Sequence, residues 1–473
     1  MSDATDPLLV VSNRLSLPDQ VQIGGLAGAL GGALGASGGT WIGWSGQIGN
    51  EGFHRRIGPV EYDAVDLDRR TYDGYYVGFS NRVLWPLMHS RLDLMEYGDG
   101  DRDAYFAANG LFADRIVAAL QPRSRIWIHD YHLFPLAALL RERGVRQRIG
   151  FFLHTPFPAP DLARSLPRHE SVFGALRHAD VIGVQSQRDA RHLRDYLAML
   201  PGEDVSARVR AFPIGIDAAV VAAEADAQRD AAPVRRLRES MTGRKLVISV
   251  DRLDYSKGLP ARFNAYGKMF DRYPELSRQV SFVQLAPVSR AAVPAYRTLK
   301  KRLDGIAGEV NSRHGAVDWM PLRYVARSHK HAVIASFLRE SAVGLVTPLR
   351  DGMNLVAKEY VAAQRAEDPG VLVLSEFAGA AEQMTAALQV NPFDEGAMAD
   401  ALARALSMPL AERRERWQEL HRGVVEQSLD VWRGAFLAAL GDCGDALSVP
   451  SRSRNSAQSA RPSGGGARFT TRR

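Results

Sequence analysis

The sequence predicts an α/β protein built from two doubly wound domains of similar size that face a central cleft. The chain has 473 residues, which exceeds the size at which a single hydrophobic core stops growing. Buried strands alternate with helices in two separate stretches, and a polar, alanine-rich segment at residues 219–241 divides them. Ligands of such sheets bind beyond the carboxyl ends of the strands, so we expect one deep ligand cleft between the domains.

The first stretch is predicted to form a domain over residues 1–225. Short apolar runs typical of buried parallel strands lie at residues 8–11, 125–130, 148–153, 181–184 and 208–212. Helices are predicted at residues 101–120, 131–144 and 187–199. Because these strands and helices alternate, the sheet is expected to be parallel.

The second stretch is predicted to form a domain over residues 240–425. Its strands are expected at residues 245–250, 279–286, 342–347 and 371–375, and its helices at 259–270, 292–312, 330–338 and 395–406. A final helical segment runs from residue 410 to about 440, and its part over 426–446 is expected to return to the first domain. Residues 447–473 contain almost no apolar side chains, which predicts a disordered basic tail.

Composition and charge argue against a nucleic-acid or membrane partner. The net charge is +7, but residues 448–473 hold six arginines and no acid, so the rest of the chain carries +1. No apolar run reaches the ~18 residues of a membrane span, and the first residues lack the basic start of a signal peptide. Cys443 is the single cysteine, which excludes an intramolecular disulfide and suits a cytoplasmic location.

Residues 345–364 form a candidate anion site. A buried strand stops at Pro348, which cannot donate to a sheet ladder, and a loop containing Gly352 leads into a helix that Asn354 can cap. Unpaired N–H groups at a helix start favour an anion such as a phosphate. Judged alone, the segment is equally consistent with a simple strand-to-helix connection.

Charged side chains follow several of the predicted strands. Arg14, Asp130 and His154 follow strand ends in the first half, and Arg252, Lys257, Arg290 and Asp351 do so in the second. Arg252 and Lys257 bracket a loop opposite the helix that starts near Asn354. Two cations together with helix N–H groups are typical of a diphosphate site, and folding alone does not require such a cluster.

Glycine and aromatic residues mark the first half. Six glycines lie between residues 24 and 35 at three- and four-residue spacing, which indicates either a closely packed helix or, at Gly24 and Gly25, a backbone that approaches a phosphate. Residues 41–47 and 72–89 are rich in Tyr and Trp beside Asn and Arg, as in sugar-binding clefts. Trp44 and Phe79 are expected to be core residues within them.

Long motifs then identify a family resemblance that runs from about residue 9 to about residue 410. They are SNRL with its GG loop, WIGWSG, IWIHDYHL, GFFLHTPFP, DRLDYSKGLPARF, APVSR and TPLRDGMNLVAKEYVAAQ. Together they resemble the trehalose-6-phosphate synthases, a family of retaining glucosyltransferases with the GT-B fold of two Rossmann-like domains. The tail does not take part in the resemblance.

The resemblance implies a role for each matching residue. The catalytic group would be Asp351, His154, Arg252, Lys257 and Asp130. The donor site would comprise Gly24, Gly25, Arg252, Lys257, Asp351, Gly352, Met353, Asn354, Leu355, Val356 and Glu359, with Glu359 on the ribose hydroxyls. The acceptor site would comprise Arg14, Tyr76, Trp85, Asp130 and Arg290.

The implied reaction is glucose transfer from a nucleotide-glucose donor, with UDP-glucose favoured, to glucose 6-phosphate in trehalose biosynthesis and stress response. Asp351 is the single carboxylate expected near the donor sugar, so front-face displacement is favoured over double displacement, which needs two carboxyl groups. His129 and His132 lack a third ligand, so no metal site and no cofactor are predicted. The alternative functions are transfer to another acceptor such as glycerol 3-phosphate, or non-catalytic sensing of a sugar phosphate. The sequence leaves the oligomeric state open and allows a homo-oligomer.

Overall fold

The structure is a computed structural model that describes residues 7–18, 28, 30–32, 34–35, 38–49, 51–288 and 293–442. Its strands form two separate sheets, one of eight strands in the first half of the chain and one of six strands in the second half. The predicted fold class, two parallel-sheet α/β domains, is therefore confirmed.

The first sheet is parallel except at one edge. Its strands are β1 Leu8–Arg14, β2 Gly39–Trp44, β3 Phe53–Ile57, β4 Val60–Ala64, β5 Arg125–His129, β6 Arg148–Phe152, β7 Val181–Val184 and β8 Val209–Ala211. They lie in the order β3-β4-β2-β1-β5-β6-β7-β8, and β3 pairs antiparallel with β4. The central strands are buried along nearly their whole length, as strands covered by helices on both faces must be.

Helices cover this sheet on both faces. They are Arg69–Tyr72, Trp85–Met88, Asp101–Ala119, Leu136–Glu142, Pro160–Arg164, His169–Val172 and Gln187–Ala198, with a π-helical segment at Asp73–Leu84. Short 3₁₀ turns occur at Leu92–Leu94, Tyr131–Leu133, Gly174–His178 and Ser206–Arg208. The side chain of Ser186 caps the helix Gln187–Ala198 by accepting the Asp189 N–H.

The second sheet is wholly parallel. Its strands are β9 Lys245–Val250, β10 Val280–Leu285, β11 Leu322–Val325, β12 Val343–Val346, β13 Val371–Ser375 and β14 Leu388–Val390, in the order β11-β10-β9-β12-β13-β14. Its helices are Ala218–Ala227, Ala232–Met241, Leu259–Arg272, Pro294–His314, His331–Arg339, Leu355–Ala363, Glu395–Ser407 and Leu410–Glu426. Short 3₁₀ turns lie at Tyr255–Lys257, Pro274–Leu276 and Gly379–Glu382.

The chain crosses between the domains in two places that touch each other. Residues 212–217 lead from the first sheet to the helix Ala218–Ala227, which packs on the second-domain helices His331–Arg339 and Leu355–Ala363. A Cβ at Gly215 would lie 1.8 Å from the carbonyl oxygen of Gln427, in the second crossing. The predicted limit of the first domain at residue 225 stays a prediction, and this packing favours a limit near residue 217.

The helix Leu429–Asp442 packs on the first sheet after the second crossing. Its Phe436 ring stacks on Trp127 of β5, with ring centres 4.9 Å apart and planes inclined by 14°. A Cβ at Gly150 of β6 would lie 2.8 Å from the Phe436 ring, so glycine permits this close approach. The predicted final helical segment consists of two helices, Leu410–Glu426 and Leu429–Asp442, separated at Gln427 and Ser428.

Two strands predicted from apolar runs agree fully with the structure, whereas the polar edge strand β3 was not predicted. The expected strands at 245–250 and 371–375 match β9 and β13 in full. The predicted helix at 131–144 is a 3₁₀ turn followed by Leu136–Glu142, because Pro135 interrupts it. Over the described residues, no helix is long and apolar enough to cross a membrane, and no group of three or more His, Cys, Asp or Glu could hold a metal ion.

Candidate active site

The loops that follow β6 and β12 meet at the interface of the two domains. Gly352, in the loop after β12, lies so close to the first domain that a Cβ there would be 2.0 Å from the carbonyl oxygen of His154. His154 is the second residue after the end of β6. Arg350 strengthens the contact, because its guanidinium donates to the carbonyl oxygen of Phe157 at 2.9 Å. The carboxyl ends of the two sheets therefore enclose a common site, as the sequence predicts.

Lys257 and Asp351 form an ion pair on the second-domain side of this site. The Lys257 ammonium donates to Oδ2 of Asp351, and both side chains are largely buried, at 13% and 15% exposure. The amide of Asn354 donates to the same carboxylate oxygen at 3.0 Å. The backbone of Ser256 ties the two loops together by accepting the Leu349 N–H at 2.7 Å. The Asp351 carboxylate thus binds the Lys257 ammonium and the Asn354 amide, which are far apart in sequence.

Asn354 does not cap the helix Leu355–Ala363 with its side chain, so that part of the prediction is wrong. It occupies the N-cap position, but its φ is +74° and its amide points to Asp351 instead of the helix N–H groups. Its Oδ1 is buried and has no hydrogen-bond partner among the described residues. The first N–H groups of this helix, which include those of Leu355 and Val356, therefore keep no side-chain cap from Asn354.

His154 lies between two polar side chains of the first domain. Its Nε2 is 3.1 Å from Nδ1 of His129, and its Nδ1 is 3.1 Å from Nε2 of Gln185. Burial lowers the pKa of His154 to about 3, so the ring is neutral at physiological pH. The backbone N–H of His154 donates to Oδ1 of Asp130 at 3.2 Å, which brings two predicted catalytic residues together. Asp130 has a φ of +74°, a strained conformation for a residue other than glycine.

A chain of ring contacts joins the acceptor residues predicted in the first domain. The Arg14 guanidinium carbon lies 5.7 Å from the Trp44 ring centre, and Trp44 lies 5.8 Å from Tyr76. The chain continues from Tyr76, which stacks on His132, through the inclined ring of Tyr131 to Trp85.

Arg252 of the second domain completes this chain. Its guanidinium carbon lies 5.5 Å from the Trp85 ring centre, a cation–π distance. The Trp85 indole N–H also points to a carboxylate oxygen of Asp254 at 3.4 Å, and the Tyr296 hydroxyl donates to the other oxygen at 3.0 Å. Predicted acceptor and diphosphate residues are thus neighbours across the domain interface.

The π-helical segment Asp73–Leu84 explains how Tyr76 and Trp85 share one face of the helix. The two residues are nine positions apart, which places them on opposite faces of an α-helix at 3.6 residues per turn. A π-helix has roughly 4.4 residues per turn, so nine residues make about two full turns. The sequence gives no simple sign of this winding, because aromatic residues occur all around the segment.

Glu359 is paired with a histidine that the sequence analysis did not single out. Its Oε1 lies 3.4 Å from Nε2 of His331, whose Nδ1 lies 2.6 Å from a carboxylate oxygen of Glu224. The hydrogen bond to Glu359, and then the one to Glu224, raises the pKa of His331 to about 9. The predicted ribose-binding acid is therefore fixed at one oxygen by an imidazolium ion.

Three of the predicted site residues cannot be compared with the structure. Gly24, Gly25 and Arg290 lie outside the described residues. The described candidates fall into one neighbourhood at the domain interface, and their assigned roles stay predictions.

Sequence reasoning missed four residues that shape the site, namely Gln185, Asp254, Arg262 and His331. Arg262 is fully buried and donates to Asp251, Thr347 and the Lys257 carbonyl, which ties the strand ends beneath the loop of Lys257. The DRLD motif contains Asp254, so its second acid is the one available signal. No motif around Gln185 in the sequence indicates its role, because the two residues that it contacts lie 29 and 31 positions away.

Comparisons with known proteins agree with this arrangement. Residues 13–442 match the model of glycosyltransferase family 20. A trehalose-6-phosphate synthase of Sinorhizobium fredii is 44% identical over 450 residues, covering 91% of this chain and 97% of that protein. A UDP-forming α,α-trehalose-phosphate synthase from Burkholderia xenovorans, solved in complex with glucose-6-phosphate, is 43% identical with a TM-score of 0.88, covering 92% of this chain and 100% of that one.

A structure described as trehalose-6-phosphate from E. coli bound with UDP-2-fluoro glucose is 42% identical to this chain, with a TM-score of 0.88. It covers 92% of this chain and 99% of that one. The match to the family and the fold of its solved members confirm the resemblance predicted from the motifs. The chain belongs to glycosyltransferase family 20.

Proposed function

We propose that this chain transfers glucose from UDP-glucose to the anomeric hydroxyl of glucose 6-phosphate, forming α,α-trehalose 6-phosphate with retention of configuration. The observation that carries the proposal is the meeting of the Lys257–Asp351–Asn354 cluster with His154 across the domain interface. Relatives solved with glucose-6-phosphate and with a fluorinated UDP-glucose analogue support both substrates.

The donor is proposed to lie against the second domain. Lys257 and Arg252 supply positive charge for the diphosphate, and the N–H groups at the start of the helix Leu355–Ala363 add to it. Glu359 would accept hydrogen bonds from the ribose hydroxyls. Residues of the motif DGMN would line the glucose, with Gly352 and Met353 contributing backbone groups.

The acceptor is proposed to lie against the first domain. In this proposal the half-buried Tyr76 of the aromatic chain contacts the sugar, and Arg14 beside Trp44 is a cation suited to the phosphate. Arg14 is exposed, so its guanidinium is accessible to a ligand. This arrangement favours a phosphorylated sugar over an uncharged one.

Front-face displacement is the mechanism that the geometry favours. Asp351 shares one carboxylate oxygen between Lys257 and Asn354, so it is engaged in positioning and is a poor nucleophile. Double displacement needs a nucleophilic carboxylate ~5 Å from an acid/base partner. In the proposed step, the C1–O bond to the diphosphate breaks, the acceptor hydroxyl oxygen bonds to C1 on the same face, and its proton passes to the leaving phosphate oxygen. Arg252 and Lys257 stabilise the developing charge.

We also propose a cytoplasmic location. The chain contains one cysteine, which suits a reducing compartment, and phosphorylated sugars and nucleotide sugars are charged substrates that do not cross membranes unaided.

Transfer is tested by incubating the full chain with glucose 6-phosphate and, separately, UDP-, GDP- and ADP-glucose. Nucleotide release measures turnover, and proton NMR of the product shows whether both anomeric centres are α. A parallel reaction with glycerol 3-phosphate tests the alternative acceptor. Absence of nucleotide release with all three donors would overturn the proposal and favour a sugar-phosphate sensor.

A further inference from the structure

Gln185 connects the first sheet, the interdomain crossing and His154. It follows β7 directly, and only 2% of it is exposed. Its Oε1 accepts the backbone N–H of Ile214 at 2.9 Å, and its Nε2 lies 3.1 Å from Nδ1 of His154. Both ends of the side-chain amide are therefore engaged by buried groups.

The Ile214 N–H fixes the orientation of the Gln185 amide. A backbone N–H can only donate, so the Gln185 atom that faces it must be the carbonyl oxygen. The opposite arrangement would place two donors against each other in a buried region and leave both without an acceptor. The amino group of Gln185 must therefore face His154, and an amino group can only donate.

This orientation decides which nitrogen of His154 carries hydrogen. Nδ1 must be an acceptor, so in the neutral ring the hydrogen lies on Nε2. Nε2 in turn donates to Nδ1 of His129, 3.1 Å away. An imidazolium would set its Nδ1–H against the Gln185 amino group, which agrees with the neutral ring expected from burial.

We propose that Gln185 is a positioning residue that holds His154 in the neutral form with hydrogen on Nε2. This N–H donates to His129 in the ligand-free chain, and it turns to a hydroxyl oxygen of the donor sugar when the donor binds. The tautomer follows from the contacts of Gln185 alone. The contact with sugar rests on the proposed function, in which the Lys257–Asp351–Asn354 cluster that meets His154 holds the donor.

The anchor of Gln185 is coupled to the donor-binding helix. The carbonyl oxygen of Ile214 accepts a hydrogen bond of 2.8 Å from the Lys358 ammonium, which is buried and also donates to Gln383 at 2.9 Å. Lys358 lies in the helix Leu355–Ala363, beside the predicted ribose-binding residue Glu359. The same residue of the crossing therefore fixes Gln185 through its N–H and binds the second domain through its carbonyl.

The other groups around His154 are consistent with a neutral ring. His129 and Asp130 are the titratable residues that face it, and Asp130 contacts the His154 backbone N–H, not the ring. Burial, and secondarily the neighbouring His154, lowers the pKa of His129 well below its usual value, so His129 is neutral. Gly352 and Trp432 border His154 without a charge.

The proposal is tested first by nitrogen-15 NMR of the ligand-free full chain with labelled histidine. The resonances of His154 are assigned by their loss in His154→Gln. We expect the wild type to show a protonated Nε2 and an unprotonated Nδ1. A protonated Nδ1 would overturn the proposal, and this readout does not depend on whether the chain transfers glucose.

Gln185→Glu provides the second test, because a carboxylate still accepts the Ile214 N–H but can only accept from the ring. We expect the His154 hydrogen to move to Nδ1 and kcat to fall about tenfold to a hundredfold, as for loss of one hydrogen bond in the transition state. The KM for glucose 6-phosphate should hardly change. The loss should shrink at lower pH, because protonation of the ring restores the Nε2–H.

Gln364→Glu is the matched control. Gln364 is also buried, and its amide also accepts a backbone N–H, from Gly370 at 2.8 Å, but it lies away from His154. Its pH profile should follow the wild type. Equal pH profiles for Gln185→Glu and Gln364→Glu, with an unchanged His154 tautomer, would reduce Gln185 to a structural residue and overturn the proposal. If Gln185→Glu does not fold, Gln185→Met takes its place, because methionine has a similar length but no amide. We then expect a mixture of both His154 tautomers.

Discussion

Asp351 and Lys257 form an ion pair in the described structure, so neither residue presents an unpaired charge. The lysine is not an isolated cation that waits for a phosphate, because its ammonium already donates to the carboxylate. A bound diphosphate would compete for that ammonium, while Asn354 remains on the carboxylate at 3.0 Å. Donor binding is therefore expected to loosen or reshape this pair.

Lys257→Ala is predicted to reduce turnover more than acceptor binding. Loss of one preorganised charge at a leaving group typically lowers kcat by about 10²–10³-fold. The KM for glucose 6-phosphate should stay close to that of the wild type, because the acceptor is assigned to other residues. Steady-state kinetics checks this, and Lys268→Ala, which breaks the half-exposed pair with Glu395, serves as the control. Equal effects on kcat and on acceptor KM would contradict the assigned role.

His331→Gln is predicted to change the pH dependence of stability. The pKa of His331 in the folded chain is about 9, raised from 6.5 mainly by the hydrogen bond to Glu359. A raised pKa stabilises the fold fully below pH 6.5, and this contribution is lost as pH rises through about 9. The Tm of the wild type should therefore fall more steeply between pH 7 and pH 10 than that of the variant. The variant should also show a higher KM for the donor. Replacement of the exposed His54 by Gln should change neither the pH dependence of Tm nor the donor KM.

Residue types at the site could be predicted from sequence, but their pairings could not. Motif order placed Asp351, Lys257 and His154 after strand ends, where the structure has them. The ion pair joins residues 94 positions apart, and the contact between Gln185 and His154 joins residues 31 apart. Asn354 failed as a predicted side-chain cap because its backbone has a positive φ instead of the extended conformation usual at an N-cap, and its amide donates to Asp351.

At the scale of elements, the π-helical winding of Asp73–Leu84 has the clearest functional meaning. It keeps Tyr76 and Trp85 on one side, and its Gly78 packs against Asp101 at the start of the helix Asp101–Ala119. A Cβ at Gly78 would lie 2.4 Å from the carboxyl carbon of Asp101, which also pairs with Arg82 at 2.9 Å. The π-helical segment therefore packs tightly against the start of the helix Asp101–Ala119, which stabilises its winding.

Gly78→Ala is predicted to disturb the acceptor face selectively. The added methyl group must displace the largely buried Asp101 carboxylate and shift the helix that carries Tyr76 and Trp85. We expect a severalfold higher KM for glucose 6-phosphate with little change in the donor KM. Gly110→Ala is the control, because its Cβ would lie 3.7 Å from the nearest atom and should stabilise the helix by about 1 kcal/mol. An unchanged acceptor KM in Gly78→Ala would contradict the role given to the winding.

Element boundaries were predictable where strands are apolar and central. Strands β9 and β13 match their predicted limits because both are buried in the middle of a parallel sheet. Strand β3, FHRRI, was missed because its three central residues are polar and exposed and because it lies at the edge of the sheet. Three-residue strands such as β14 carry too few residues for a periodic pattern.

At the scale of the molecule, the helix Leu429–Asp442 closes the chain onto the domain in which it began. Phe436 is fully buried between the rings of Trp127 and Phe152 and the glycines of β6 and β7. The side chain of Trp432 packs on Phe152 and His154, so the helix reaches the floor of the site. Integrity of the active site therefore depends on a segment that lies far from it in sequence.

Phe436→Ala is predicted to lower the stability of the first domain by about 3–5 kcal/mol, the usual cost of removing a buried phenyl ring. Differential scanning calorimetry should show an earlier transition for the variant. Phe393→Ala removes a ring that is 67% exposed and should leave the transition within about 0.5 kcal/mol of the wild type. Similar transitions for both variants would show that the final helix does not stabilise the first domain.

Because the chain returns to the first sheet, the positions of two fluorescent labels decide whether they can report a movement between the domains in solution. Strand β1 and the helix Leu429–Asp442 belong to the same domain, so a pair of fluorophores on these two elements would not report a movement between the domains. One dye must instead be attached within the second domain. Val317 is fully exposed on the loop after the helix Pro294–His314 and offers such an attachment point. Energy transfer between that dye and one on the final helix would then follow any closure of the cleft directly.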